Sequence, residues 1–184
     1  MLAQKFLLLL PMLALLAYAA VQDLRTRRIR NWLTLCLVVT GLAHSIASSH
    51  APTLGQSLLG MLAGFALPLV LFVMGALGGG DVKLLAGVGA WLGAGGVVAV
   101  FLAAAVVGMV IVLAQCAATG RLTALFRNTL VLVMNLLHLG ELGMKQVAET
   151  GKACRSVDRP LPYAVPVLVA VVLILVLGQS GLVA

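Results

Sequence analysis

Long apolar runs, separated by short polar or glycine-rich connections, dominate the sequence. A helix needs about 20 mostly apolar residues to cross a bilayer. Six runs approach or reach that length, namely residues 6–22, 31–49, 56–77, 83–94, 97–118 and 161–179. The run 83–94 is the shortest, and it ends at the glycine-rich turn 93–96. The pattern predicts an all-α polytopic membrane protein with about six transmembrane helices, which we treat as one membrane-embedded domain over residues 1–184.

The composition favours the same class of protein. Hydrophobic residues make up 62% of the chain and charged residues 9%, whereas about a quarter of a soluble domain is charged. So little polar surface cannot cover a water-soluble globule. We therefore expect the lipid bilayer to surround the chain, and its net charge of +7 to reflect membrane orientation rather than nucleic-acid binding.

The distribution of charge predicts the orientation. Segment 23–30 holds four arginines and one aspartate, whereas the connections 50–55 and 93–96 hold no Lys, Arg, Asp or Glu. The stretch 119–160 is also basic; it holds Arg121, Arg127, Lys145, Lys152, Arg155 and Arg159 against Glu141, Glu149 and Asp158. Basic residues gather on the cytoplasmic side of membrane proteins, so both basic segments are predicted to be cytoplasmic and the N-terminus to lie outside.

Two segments have alternative interpretations. Residues 121–139 could form a seventh span, but Arg121, Asn128 and Asn135 recur every seven residues and share roughly one stripe of a helix. We predict an amphipathic helix lying in the membrane interface. The N-terminal run ends in Ala-Tyr-Ala and resembles a signal peptide, but the arginines that follow resist translocation and favour a retained span.

Cysteine and histidine residues predict no site. Cys36, Cys116 and Cys154 form no C-x-x-C pair, and His44, His50 and His138 are far apart in the sequence. We expect neither a metal site nor a cofactor.

Acidic residues are scarce, and two of the five lie at the ends of apolar runs. Asp23 follows the first run, and Asp81 stands in the stretch GALGGGDVKLLAG, residues 75–87. Two crossings, 31–49 and 56–77, separate the two acids and return the chain to the face it left. Asp23 and Asp81 are therefore predicted to lie at one face and at one depth of the membrane, where acids usually mark a working site.

Each feature also has a purely structural interpretation. Asp81 could cap the helix that follows it, Asp23 could pair with the nearby arginines, and Gly78, Gly79 and Gly80 could form a flexible turn. The functional alternative is that these glycines, which have no Cβ atom and can take positive φ, let a peptide substrate approach closely.

Two neighbouring carboxylates cannot easily both ionise, so the pKa of one rises and the pair holds one proton between them. The ionised member can take a proton from water while the protonated member donates to a carbonyl oxygen. This is aspartic-protease chemistry, and it needs no metal, cysteine or serine.

These motifs resemble those of a known family. GGGDVKLLAG resembles the G-x-G-D motif of type IV prepilin peptidases, which also occurs in presenilin-type proteases. DLRTRRIRNWLT, residues 23–34, resembles the segment with the first catalytic aspartate of that family, and PYAVPVLVA, residues 162–170, its last helix. The resemblance implies a catalytic pair, Asp23 and Asp81, with motif-supporting residues Gly78, Gly79, Gly80, Lys83, Pro162 and Tyr163. It also implies a prepilin substrate, cleaved after a glycine at the inner face of a bacterial cytoplasmic membrane.

The sequence departs from the family in two places. Arg30 stands where the family usually has proline, and the connection 23–30 replaces a larger cytoplasmic domain that is associated with N-methylation. The short form resembles peptidases of tight-adherence, or Flp-type, pilus systems, and implies cleavage without methyl transfer. A small transporter or channel subunit, and a non-enzymatic assembly factor for pili or secretion, are the alternative functions.

Overall fold

The described part of the chain is helical. The computed structural model describes residues 2–48, 51–74, 77–120, 123 and 162–179. These residues form five helices: α1 (Leu2–Thr26), α2 (Asn31–Ala47), α3 (Leu54–Val73), α4 (Gly79–Ala118) and α5 (Ala164–Gln179). The predicted all-α class is confirmed. The predicted interfacial helix at 121–139 lies outside the described residues, apart from residue 123.

Three of these helices are long and apolar enough to cross a membrane, namely Leu8–Thr26 within α1, α3 and α4. Asn31–Ala47 and Ala164–Val176 are shorter apolar helices. A membrane protein is therefore supported by the helices as well as by composition. The count of six spans stays a prediction.

Local sequence signals set where α3 begins. The backbone N–H of Gln56 donates to Thr53 Oγ1 at 3.4 Å, and the backbone N–H of Thr53 donates to Gln56 Oε1 at 3.1 Å. This reciprocal capping box satisfies two of the N–H groups that a helix start leaves without intrahelical partners. It starts α3 at Leu54, two residues before the apolar run from which we predicted the span.

A turn at Gly93 folds α4 into a helical hairpin. Gly93 has φ 73° and ψ −179°, a backbone conformation that is nearly restricted to glycine. A Cβ atom at Gly64 would overlap the Leu85 backbone and lie 3.0 Å from Val97 Cγ2. In a straight helix Leu85 and Val97 would be about 18 Å apart, so the chain must reverse between them. The arms 79–92 and 94–118 correspond to the predicted fourth and fifth spans. Gly93, between them, is the first residue of the predicted glycine-rich turn 93–96.

The first arm of α4 is the centre of the bundle. It packs closely on α3, since a Cβ atom at Gly60 would overlap the Gly89 carbonyl oxygen. It also packs on α2, where Trp91 Nε1–H donates to the Leu37 carbonyl at 3.0 Å. The second arm contacts the start of α5 near Gly108 and Pro166. Both arms contribute side chains to one buried apolar cluster with α1, α2 and α5, and this cluster fixes the ends of α1, α4 and α5 relative to one another.

Candidate active site

Asp23 lies in the last turn of α1 and is buried, with 5% of its surface exposed. Its Oδ2 accepts a hydrogen bond of 3.2 Å from the backbone N–H of Ala164, the first residue of α5. A carboxylate at a helix N-terminus satisfies a free N–H and interacts favourably with the helix dipole. Asp23 therefore joins the end of the first helix to the start of the last one.

Asp81 lies in the first turn of α4. The backbone N–H of Gly78 donates to Asp81 Oδ2 at 3.2 Å, and the Gly78 carbonyl accepts from the Asp81 N–H at 3.1 Å. Because the aspartate reaches back to the residue that precedes the helix, α4 begins at Gly79 rather than at the predicted residue 83. Asp81 thus accepts a backbone N–H at the helix start from the third position inside α4, with Gly78 as the N-cap, rather than preceding the helix as its cap. This bond leaves the second carboxylate oxygen for other contacts.

The fold brings the two predicted acids together at one end of the bundle. The Asp23 and Asp81 carboxylates are close enough for their charges to interact. The Asp81 charge also reaches the Tyr163 phenol, and Tyr163 directly precedes Ala164, whose N–H bonds to Asp23. Two acids and one phenol, from α1, α4 and the residue before α5, thus share a partly enclosed polar site in an otherwise apolar bundle.

The connection between α1 and α2 packs against the start of α4. A Cβ atom at Gly80 would lie 3.3 Å from Ile29 Cβ, so a side chain at position 80 would crowd this contact. Lys83 Nζ donates to Asn31 Oδ1, at the first residue of α2, at 3.0 Å. These contacts align the last turn of α1 with the first turn of α4, and they place Asp23 and Asp81 at the same level.

Arg30 replaces the proline that the resemblance led us to expect, yet its backbone has a conformation that proline would also have. Its φ is −70° and its ψ is 138°, and a proline ring fixes φ near −65°. Arg30 makes no side-chain cap for α2. The substitution therefore retains the geometry at the entry to α2 and adds an exposed positive charge.

The other predicted motif residues have mainly structural surroundings. Gly78 is extended, with φ −84°, and a Cβ atom at Gly79 would lie 3.4 Å from the Phe72 ring. The positive φ that Gly78, Gly79 and Gly80 could take does not occur, since the positive φ values of the described glycines are at Gly93 and Gly120. The Pro162 carbonyl accepts from the Val165 N–H at 3.2 Å, which helps to start α5 beside Asp23.

Sequence reasoning missed two contributors to this site. The Ala164 N–H has no sequence signal, because every residue but proline carries one. Ile29 gave no signal either, since its packing depends on where the chain turns.

No metal centre is assigned. Within residues 2–48, 51–74, 77–120, 123 and 162–179, no three His, Cys, Asp or Glu side chains lie close enough together to hold a metal ion.

Comparison with known proteins decides the family. The profile of the type IV leader peptidase family matches residues 10–113, which include Asp23, Asp81 and Lys83. The chain belongs to the type IV leader peptidase family. This match confirms the family resemblance that the sequence motifs indicated. No solved structure gives a significant match.

One curated relative gives the same indication. A prepilin leader peptidase/N-methyltransferase of Klebsiella pneumoniae is 38% identical to the chain over 89 residues. The matched part covers 45% of this chain and 39% of the relative. The chain thus matches about two fifths of the length of this larger relative of the leader peptidase family.

Proposed function

We propose that the protein is a membrane aspartic endopeptidase that removes the leader of type IV prepilins or prepilin-like proteins. The observation that carries this proposal is the meeting of Asp23 and Asp81 at one end of an apolar bundle, close enough for their charges to interact. Membership of the leader peptidase family supports the reaction class. The proposal assigns the catalytic roles to Asp23 and Asp81.

In the proposed mechanism the two carboxyl groups share one proton. The ionised carboxylate takes a proton from a water molecule, which attacks the scissile carbonyl carbon, and the protonated carboxyl donates to the carbonyl oxygen. When the resulting gem-diol collapses, one carboxyl group donates a proton to the leaving amine while the other takes a proton from a hydroxyl of the gem-diol, which restores the shared proton. The backbone N–H groups of Ala164 and Gly78, which each bond one aspartate oxygen, would hold the carboxylates in orientation through the cycle.

The proposed substrate has a basic leader in the cytoplasm and a hydrophobic helix in the membrane, and it is cleaved after a glycine. The relative's name supports a prepilin, and the short connection between α1 and α2 favours one of the Flp type. Because both acids lie near helix ends, the scissile bond would meet them at the membrane boundary. We place this boundary at the cytoplasmic face of a bacterial inner membrane, on the basis of the arginines at 25–30.

Aspartate-to-asparagine variants test the proposal. Asp23→Asn and Asp81→Asn should each abolish leader cleavage, measured as a gel shift of a co-expressed pilin, while the protein stays inserted and abundant. Asparagine still accepts the hydrogen bonds from Ala164 and Gly78, but it cannot exchange a proton at working pH. The double variant should be little worse than either single variant, because residues that act as one unit are non-additive.

Acids elsewhere in the chain provide the control. Glu141→Gln, Glu149→Gln and Asp158→Asn, made singly, should leave most of the cleavage. Substantial turnover by Asp23→Asn, together with an essential acid among these three, would show that the catalytic pair is misassigned. Tolerance of both Asp23→Asn and Asp81→Asn would instead support a non-enzymatic assembly factor.

We further propose that the protein trims prepilins without methylating them. The curated relative is named for both activities, but only residues 27–30 connect α1 and α2 here. Mass spectrometry of pilin trimmed by the purified protein, with a methyl donor present, should show an unmodified N-terminus. A methylated product from the protein alone would refute this proposal.

A further inference from the structure

A groove lies between α2, α3 and α4, away from the two acids. Its volume is about 410 Å³, which is within the range of small-ligand sites. Lys83 lines the groove, and it lies two residues after Asp81, or about 200° further around the helix. The groove and the candidate active site therefore occupy opposite sides of the first turn of α4.

The two ends of the groove differ in chemistry. Asn31, Thr34 and Lys83 form its polar end, while Leu35, Val38, Phe65 and Ala86 form its apolar part. The apolar part is open to the surroundings, since Leu35 is 63% exposed and Phe65 is 44% exposed. In a membrane protein these side chains face acyl chains, so the groove runs from the end of the bundle that holds the acids into the hydrocarbon region.

The charge at the polar end is positive. Lys83 Nζ donates to Asn31 Oδ1, and an ammonium group has three N–H donors, so donors remain for a ligand. Among the residues that the structure describes, those that line the groove include no acid. Arg30, which immediately precedes Asn31 and is exposed, adds to this charge.

We propose that this groove binds an anionic phospholipid. One acyl chain lies along Leu35, Val38 and Phe65, and the phosphate accepts hydrogen bonds from Lys83 at the membrane boundary. A phospholipid combines an apolar chain with a negative head group, which is the combination that this groove complements. A substrate helix fits less well, because a helix is about 10 Å across and the groove lies on the far side of α4 from the acids.

The bound lipid would also have a structural effect. Its phosphate would contact Lys83 while Lys83 bonds to Asn31, so the lipid would hold the start of α4 against the start of α2. The same turn of α4 carries Asp81. The lipid site does not depend on the proposed peptidase activity, and it is tested by binding alone.

Native mass spectrometry of the full chain tests the site. The purified protein is exchanged into nanodiscs of equimolar phosphatidylcholine and phosphatidylglycerol, and the retained lipid adducts are counted. Wild type should keep phosphatidylglycerol in preference to phosphatidylcholine. Lys83→Gln should weaken phosphatidylglycerol retention about fivefold, which corresponds to the usual effect of one basic residue near an anionic surface, and Lys83→Arg should restore it.

Matched variants distinguish lipid binding in the groove from general electrostatic adsorption and from misfolding. Arg25→Gln removes an exposed charge outside the groove and should retain the adduct; an equal loss there would mean general electrostatic adsorption and would overturn the site. Leu35→Trp fills the groove and should reduce retention, whereas Val39→Trp, at an exposed neighbouring position, should not. Thermal unfolding in phosphatidylcholine alone confirms that each variant is folded.

The two parts of the ligand are tested separately. Soluble glycerol 3-phosphate should not displace the adduct, because it lacks the acyl chain. Displacement by glycerol 3-phosphate, equal retention of both phospholipids by wild type, or unchanged retention by Lys83→Gln would each overturn the proposal.

Discussion

At the residue scale, each candidate catalytic acid also stabilises the start of a helix. Asp23 bonds the first N–H of α5, and Asp81 bonds the N–H of the residue before α4. A capping bond of this kind contributes about 1 kcal/mol. Because Asn can keep these bonds, loss of function in the asparagine variants would separate proton transfer from helix stability, which alanine variants could not do.

Gly80 offers a test of how closely the α1–α2 connection must pack. In Gly80→Ala the new Cβ would lie 3.3 Å from Ile29 Cβ, and such crowding costs about 1–3 kcal/mol. Higher helix propensity offsets this by up to about 1 kcal/mol. We expect a lower midpoint of thermal unfolding and less leader cleavage.

The control for this variant is Gly55→Ala, where nothing lies within 4 Å of the new Cβ and stability should be unchanged or higher. In the double variant with Ile29→Gly, removal of the Cβ atom that the new Cβ would meet should relieve part of the cost, so the two changes should be non-additive. Strict additivity would mean that Ile29 does not position the start of α4.

At this scale the sequence predicted the acids but not their partners. Asp23 and Asp81 stood out because acids are scarce and because two crossings return the chain to one face. The Ala164 N–H could not be identified, since a backbone group is the same at almost every position. Ile29 is one apolar residue among many, and only the direction of the chain after Arg27, which has φ 52°, brings it against Gly80.

At the element scale, the hairpin within α4 depends on one residue. Its two arms are each apolar and helical, and the turn between them has a backbone conformation at Gly93 that other residues adopt only with strain. The reversal brings the second arm back toward the start of α5, beside Asp23. The turn therefore helps to position the candidate site, although it lies at the other end of the bundle.

Two glycines in this turn should respond oppositely to alanine. Gly93→Ala should destabilise the protein by about 1–3 kcal/mol, the usual cost of this conformation for a residue with a Cβ atom. Gly95→Ala should be neutral or stabilise it by up to about 1 kcal/mol, because Gly95 has φ in the ordinary range and open space around it. Thermal unfolding in detergent measures both, and equal effects would contradict the assigned turn.

The elements were predictable from the sequence to within a few residues. Apolar runs identified five described helices and the turn at 93–96, because burial and membrane contact both require such runs. Boundaries were less accurate where a side chain extended a helix beyond its apolar run. Asp81 did so for α4, and Thr53 with Gln56 did so for α3.

At the scale of the whole molecule, the charge pattern predicts how the bundle lies in the membrane. A reporter that is active only outside the cell should work when fused near residue 52 or at the C-terminus. It should fail near residues 27 and 150, because basic connections stay in the cytoplasm. An active reporter near residue 150 would contradict the predicted topology. It would also place Pro162 and Tyr163 on the other side of the membrane from Asp23 and Asp81.

The hydrogen bond between Asp23 and Ala164 also has a consequence for biosynthesis. The two residues are 141 positions apart, so at about 5–20 residues per second the ribosome needs roughly 7–28 s to make the second after the first. In the later part of that interval, once Asp81 has been made, the chain holds both acids, but the start of α5 has not yet been made. The candidate protease thus acquires its complete site only after residue 164 has been made, which would delay proteolysis in the membrane until α5 is synthesised.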